Sequence, residues 1–178
     1  MLIAFSGKKQ TGKDTAAELL AAASPKLQFQ RLNFADAVYE ELAIGLWPSC
    51  CANKSFLAAK IAYMKANKQH FRLLLQGWGT DYRRALFGSN YWIDEYKKRL
   101  ERISDRIVVV TTDVRFVNEA QCIATLGGIL IRIERETGMI DTHKSETELD
   151  DYYFEHRIVN NGTKEQLLEQ LKKVLKDT

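Results

Sequence analysis

The apolar positions of this chain change their spacing several times, and each change marks an element. Leu2 to Ser6 (LIAFS) is a short continuous apolar run ended by Gly7, which predicts a buried strand. Beyond a polar loop, Ala16, Leu19, Leu20 and Ala23 fall at i, i+3, i+4 and i+7, one face of a helix that Pro25 follows. Leu27 to Phe34 alternates through Leu27, Phe29 and Arg31 before Leu32 and Phe34 break phase; it predicts a second strand. From Asp36 to Ile103 no strand pattern recurs. Spacings such as Phe56, Ile61, Met64 and Trp92, Tyr96, Leu100, Ile103 are helical, with breaks near Pro48, Gly77 to Gly79 and Gly88.

Arg106 to Asp113 (RIVVVTTD) is apolar and β-branched, the clearest strand in the chain. A helix then runs to Gly127 and Gly128, residues suited to a helix end. Ile129 to Glu134 predicts a fourth strand and Arg157 to Asn160 a short fifth. Thr163 to Gln166 (TKEQ) is a capping box opening a last helix, whose stripe is Leu167, Leu168, Leu171, Val174 and Leu175. Continuous apolar strands alternating with helices predict a parallel sheet covered on both faces. The expected fold is therefore three-layer α/β/α with a five-stranded parallel sheet. It forms a single domain over 1–178, with a helical insertion at about 36–103.

Composition narrows the class. At 178 residues, 46% apolar and 28% charged, the chain suits one soluble domain. A net charge of +3 is too mild for a nucleic-acid-binding domain but compatible with anionic small molecules. An odd cysteine count, with Cys50 and Cys51 adjacent and Cys122 apart, argues against a disulfide framework and for a reducing compartment, the cytoplasm. The N-terminus does not read as a signal peptide, because its apolar run is short and its lysines follow it. No stretch approaches the roughly 20 apolar residues of a membrane span.

The loop after the first strand carries the chemistry. Residues 7–15 read GKKQTGKDT: glycine, four residues, then glycine and lysine, between a buried strand and an amphipathic helix. Gly7 and Gly12 let the backbone curl so that amides point inward, the helix adds its positive end, and Lys13 reaches β- and γ-phosphates. A hydroxyl usually follows the lysine and ligates magnesium. Here Asp14 does, with Thr15 one place later. A carboxylate is also a hard oxygen ligand, so Asp14, Thr15 or a bridging water could serve.

Three further segments are candidates for the same site. Asp113 ends the third strand two residues before Arg115, where an open α/β sheet gathers ligands. The aspartate can orient magnesium waters and the arginine can clamp phosphate. Within the helical block, Gln76, Thr80, Arg83, Arg84 and Trp92 supply the mixture an acceptor nucleotide needs. Finally, the polar segment at about 135–153 reads as a lid that excludes water, with Arg132 or Arg135 near its base and His143 within it. No cysteine or second histidine stands at ligand spacing from His143, so a metal role for it is not indicated.

Together these segments resemble the bacteriophage deoxynucleoside monophosphate kinases, a branch of the phosphate-loop nucleoside monophosphate kinases. SGKKQTGKDT is similar to that family's loop, in which GKD replaces GKS/T. NFADAVYEEL, LQGWGTDYRRALFGSNYWID, TDVRFVNEA, THKSE and IVNNGT resemble its later motifs, in order and nearly end to end. The resemblance implies ATP and Mg2+ as cofactors and a deoxynucleoside monophosphate as substrate. It implies that Gly7, Lys8, Lys9, Gln10, Thr11, Gly12, Lys13, Asp14 and Thr15 cradle the donor phosphates, with Asn160, Asn161 and Gly162 beside the adenine. Lys13, Asp113 and Arg115 would be catalytic, and Asp14, Thr15 and Asp113 would serve the metal. Phe34, Asp36, Gln76, Thr80, Arg83, Arg84, Trp92, Arg115, Arg132, His143 and Glu146 would meet substrate. The pair Arg83–Arg84 leaves open which arginine takes the acceptor phosphate. The segment with Cys50 and Cys51 matches no motif.

The competing reading is a phosphate-loop kinase of another small phosphorylated metabolite. A GTPase would carry Asn-Lys-x-Asp, whereas the Asn-Lys pairs here read NKSF and NKQH. A motor ATPase usually has Glu after the strand-end aspartate, and Val114 follows Asp113. Oligomeric state is not legible, a homodimer being one option; no nucleic acid or membrane partner is expected.

Overall fold

LIAFS forms a strand buried at every position, because both faces of the sheet are covered. In chain order, β1 (Leu2–Ser6) leads through the glycine-containing loop to α1 (Lys13–Ala23) and β2 (Phe29–Arg31). Next come α2 (Ala35–Leu46), a 3-10 turn at Pro48–Ala52, α3 (Lys54–Ala66), α4 (Lys68–Gln76), a π-helical turn at Gly77–Tyr82, α5 (Arg83–Phe87) and α6 (Tyr91–Leu100). The chain ends with β3 (Val108–Val114), α7 (Val117–Thr125), β4 (Ile129–Glu134), α8 (Lys144–Thr147), β5 (His156–Val159) and α9 (Lys164–Lys176). The computed structural model describes residues 1–136 and 143–176, so 137–142 of the expected lid lie outside the described residues. Two units are distinguished, Met1–Asn33 with Arg99–Thr178 and Phe34–Lys98.

The first unit holds the sheet, ordered β2-β3-β1-β4-β5 with every pairing parallel. Alternation along the strands sorts the core. Ile3, Phe5, Val108, Val110, Ile131, Ile133 and Ile158 pack with Ala16, Ala17 and Leu20 of α1 and Leu167 and Leu171 of α9. Leu2 alternates to the other face. A Cβ on Gly128 would meet both Leu2 and Ile123 of α7 at 2.9 Å, so α7 covers that side. The connections leaving β1 and β3 thus depart on opposite faces of neighbouring strands. That divergence opens a crevice at their carboxyl ends.

The expected three-layer α/β/α class with a five-stranded parallel sheet is what folds. β4 matches its expected span, whereas β2 is only Phe29–Arg31, not Leu27 to Phe34. It is an edge strand with Leu27 half exposed, and Leu32 keeps just one ladder bond, its amide donating to Val110 O at 3.0 Å. β5 is one residue earlier than expected, which leaves Asn160 beyond its end. The capping box forms: Thr163 N donates to Gln166 Oε1 at 2.9 Å and Gln166 N to Thr163 Oγ1 at 3.3 Å. Thr163→Ala should lower stability by about 1 kcal/mol in chemical denaturation with activity retained.

The Phe34–Lys98 unit is helical, and no strand occurs among its described residues. Its core gathers Ala37, Val38, Tyr39, Leu42 and Ala43 of α2 with Met64 and Trp92. Asn53 starts α3 by accepting from the amides of Ser55 and Phe56 at 2.9 and 3.1 Å. Cys50 and Cys122 are buried free thiols. Among the described residues, no helix is long and apolar enough to cross a membrane.

Candidate phosphate-binding site

The chain turns as soon as β1 ends, and glycine makes that turn feasible. Gly7 has φ 149° and Gly12 φ 99°. A Cβ on Gly7 would lie 2.3 Å from Ile133 O, and one on Gly12 2.4 Å from Asn160 Nδ2. Both positions therefore combine a left-handed backbone with a close approach. Gln10 also has positive φ, 65°, which costs a non-glycine residue on the order of 1 kcal/mol. The surroundings hold this shape. Asn160 Nδ2 donates to Thr11 O at 2.9 Å, and Thr11 Oγ1 donates to Lys8 O at 3.0 Å.

Lys13, the first residue of α1, is 8% exposed and folds back into the loop. Its ammonium donates to Gly7 O at 2.7 Å and Lys8 O at 2.6 Å. Burial lowers its pKa to about 8, helped by the nearby Arg115 guanidinium and opposed by Glu146 and Asp14. A cation that burial makes costly to keep favours an incoming anion.

Two arginines converge on the same cleft, lined by Ser6, Gly7, Val114, Arg115, Arg132 and Glu146. Arg115 is aimed by Glu119, a buried carboxylate that accepts the Arg115 and Phe116 amides at 2.8 and 3.2 Å and so fixes the turn from β3 into α7. The Arg115 guanidinium bonds Ser145 O at 3.2 Å and pairs with Glu146. Arg132 of β4 is 7% exposed; Nη1 donates to Ser6 Oγ at 3.1 Å and Nη2 to Asp150 Oδ1 at 3.2 Å. Burial pulls its pKa below the ordinary arginine value, and Asp150 opposes that. Asp150 Oδ2 also pairs with Lys8 at 2.9 Å, while Glu146 Oε2 accepts the Lys9 amide at 3.2 Å.

Asp14 is engaged already. Its Oδ1 accepts from Thr112 Oγ1 at 2.9 Å and pairs with Arg31 at 3.2 Å, although the side chain is 70% exposed. Arg31 thus offsets the charge this carboxylate adds beside the loop. Thr112 N also donates to Asn33 Oδ1 at 2.8 Å, tying the ends of β2, β3 and α1 together. Between the paired positions Ala4↔Thr111 and Ser6↔Val114, β3 carries one residue more than β1. That irregularity falls at Thr112 and Asp113, and such bulges re-aim side chains at sheet ends. Asp113 is half-buried there. Asp14, Thr15 and Asp113 are all hard oxygen donors. Among the described residues no group of three or more His, Cys, Asp or Glu forms a cage. This donor set fits magnesium, which takes one or two carboxylates and completes its shell with water and substrate phosphates.

The remaining expected residues are spread more widely. Asn160 is buried, while Asn161 and Gly162 are exposed beside it. His143 Nδ1 accepts from Ser145 N at 3.2 Å and so opens α8. In the helical unit, Phe34 stacks on Tyr96 at 4.2 Å and Asp36 pairs with Lys65 at 2.8 Å. Gln76 ends α4, and Thr80 lies in the π-helical turn. Trp92 donates its indole N–H to Gly79 O at 2.6 Å in that turn. Arg83 pairs with Glu41 at 2.7 Å, and its guanidinium lies 4.7 Å from the Trp78 ring and 4.9 Å from the Phe87 ring. Arg84 donates to Ser89 O at 2.9 Å. The geometry therefore distinguishes the two arginines: Arg83 is embedded among aromatics, and Arg84 braces the following turn. Sequence reading missed Ser6, Arg31, Thr112 and Asp150; the TTD run and the paired aspartates near 150 were the faint signals.

The family model described as deoxynucleotide monophosphate kinase matches residues 48–171, a span that begins after the phosphate loop. A protein of Acanthamoeba polyphaga mimivirus, provisionally named a deoxynucleotide monophosphate kinase, is 30% identical over 193 residues, covering 96% of this chain and 94% of that one. A shikimate kinase from Aquifex aeolicus VF5 aligns in structure over 99% of this chain and 96% of its own, with TM-score 0.48 and 14% identity.

Proposed function

The chain belongs to the deoxynucleotide monophosphate kinase family, and on that premise we propose that it transfers the γ-phosphoryl group of ATP to a deoxynucleoside monophosphate. The observation that carries this reading is the loop between β1 and α1, where Lys13 is held against Gly7 O and Lys8 O. An oxygen of the acceptor phosphate attacks the γ-phosphorus as the bond to the β-phosphate oxygen breaks, giving ADP and the deoxynucleoside diphosphate. The acceptor oxygen is already anionic at neutral pH, so no strong base is needed. What the reaction needs is alignment and charge neutralisation.

Lys13 supplies a cation to the β- and γ-phosphates, and the loop amides orient them. Arg115 and Arg132 neutralise phosphate charge beside them. Magnesium, held by Asp14, Thr15 or Asp113, would neutralise further charge on the phosphates when bound. Asn160, Asn161 and Gly162 are assigned to the adenine side. Phe34, Asp36, Gln76, Thr80, Arg83, Arg84, Trp92, His143 and Glu146 are assigned to substrate. Incubation with ATP, magnesium and each deoxynucleoside monophosphate in turn should yield ADP and a diphosphate with at least one acceptor. No product with any of them would overturn the assignment.

The Lys13 ammonium gives this reading a pH signature. The cation predominates below its pKa of about 8 and is lost as pH rises through that value. kcat/KM for ATP, which reports the free enzyme, should be level below pH 7 and fall by about tenfold per unit well above 8. Bound phosphates favour the ammonium, so kcat should break at higher pH. A kcat/KM profile that stays flat to pH 10 would contradict this.

A further inference from the structure

The cleft already contains negative charge of its own. Glu146 and Asp150 stand four residues apart on one segment and take hold of four cleft donors. Glu146 places one carboxylate oxygen on the Arg115 guanidinium and the other on the Lys9 amide. Asp150 places one oxygen on Arg132 and the other on Lys8. A guanidinium with a loop amide, and a guanidinium with an ammonium, are the donor combinations that recognise phosphate oxygens. The Glu146 side chain is only 7% exposed, so it is seated in the cleft and not lying over it.

Resting on the phosphate-site reading above, we propose that Glu146 and Asp150 are internal counter-anions that occupy the donor-phosphate positions until nucleotide displaces them. The Lys9 amide has one hydrogen and cannot serve Glu146 and a phosphate oxygen together. Without such anions, Lys8, Lys13, Arg115 and Arg132 would repel one another around the loop. With them, the loop keeps its shape while empty, and an anion must compete with the carboxylates before it binds. A triphosphate reaches several donors at once, whereas a lone phosphate replaces one carboxylate at a time. The device therefore discriminates in favour of polyphosphate.

Titration calorimetry with ATP, and separately with inorganic tripolyphosphate, tests this on the wild type, Glu146→Gln, Asp150→Asn and the double variant. Neutralising Glu146 should tighten both ligands by about tenfold, and the double variant should bind tighter still. The ligand-free variants should also unfold at lower temperature than the wild type. Unchanged or weaker binding by both single variants, with ATP binding the wild type, would overturn the proposal and leave the phosphate site standing. Binding of neither probe to any form would remove the phosphate site and the proposal with it. A structure of the wild type with ATP gives a check free of substitutions: Glu146 still on the Lys9 amide would refute displacement.

Discussion

Lys13→Ala should lower turnover by about a thousandfold, the scale set by removing one well-placed electrostatic donor from a transition state. The lysine is the first residue of α1, so its charge adds to the helix end where phosphate oxygens gather. Neighbouring cations cannot replace it from where they are held. Lys8 lies in the loop and not at the start of α1, and Arg115 and Arg132 reach the cleft from the end of β3 and from β4. The fold should survive the substitution. Lys8 O keeps the Thr11 hydroxyl as donor, and the loss of a donor at Gly7 O is offset by removal of a poorly solvated ammonium. Single-turnover kinetics at saturating ATP checks the rate, and circular dichroism checks the fold. Wild-type turnover would exclude Lys13 from the chemistry.

Among the described glycines, Gly7→Ala should be the most damaging substitution, lowering stability by about 3 kcal/mol or preventing folding. Two costs act together. The backbone at φ 149° is strained for an L side chain, and the new Cβ would lie 2.3 Å from Ile133 O and 2.7 Å from Thr11 Oγ1. The first obstacle is the backbone of β4, an interior strand of the sheet, and cannot rotate away. Gly45→Ala is the matched control. Gly45 lies within α2, with nothing within 4 Å of an added Cβ, and alanine there should raise stability by roughly 0.5–1 kcal/mol. Denaturant melts of the two variants decide the matter; similar behaviour would show that the loop yields to accommodate the methyl.

The strands and the loop were legible because their signals are local. LIAFS, ILIRIE and GKKQTGK each state a short run and its punctuation, and the residues involved are near neighbours in the chain. β2 was overread because apolar residues, Leu27 before it and Leu32 and Phe34 after it, prolong the run past both ends of the paired edge strand. The carboxylates of the cleft were not readable in their present role. Glu146 meets Lys9 across 137 positions of sequence and Asp14 meets Thr112 across 98. Those contacts depend on strand order and on the extra residue in β3, and neither leaves a periodic trace. Glu119 was visible only as part of a motif; its reason, two backbone amides at the turn into α7, appears once the turn has formed.

The bond from Asn160 to Thr11 O bears on how the protein is made. The loop is translated 149 positions before the side chain that pins it. β1 also pairs with β3 and β4, which are translated after the helical unit. A nascent chain therefore carries the complete nucleotide signature through the synthesis of the helical unit and of β3 and β4 without the means to hold it in shape. Competence for nucleotide comes only once β5 and Asn160 have been made, and a chain cut short before β5 would display the motif and lack the site.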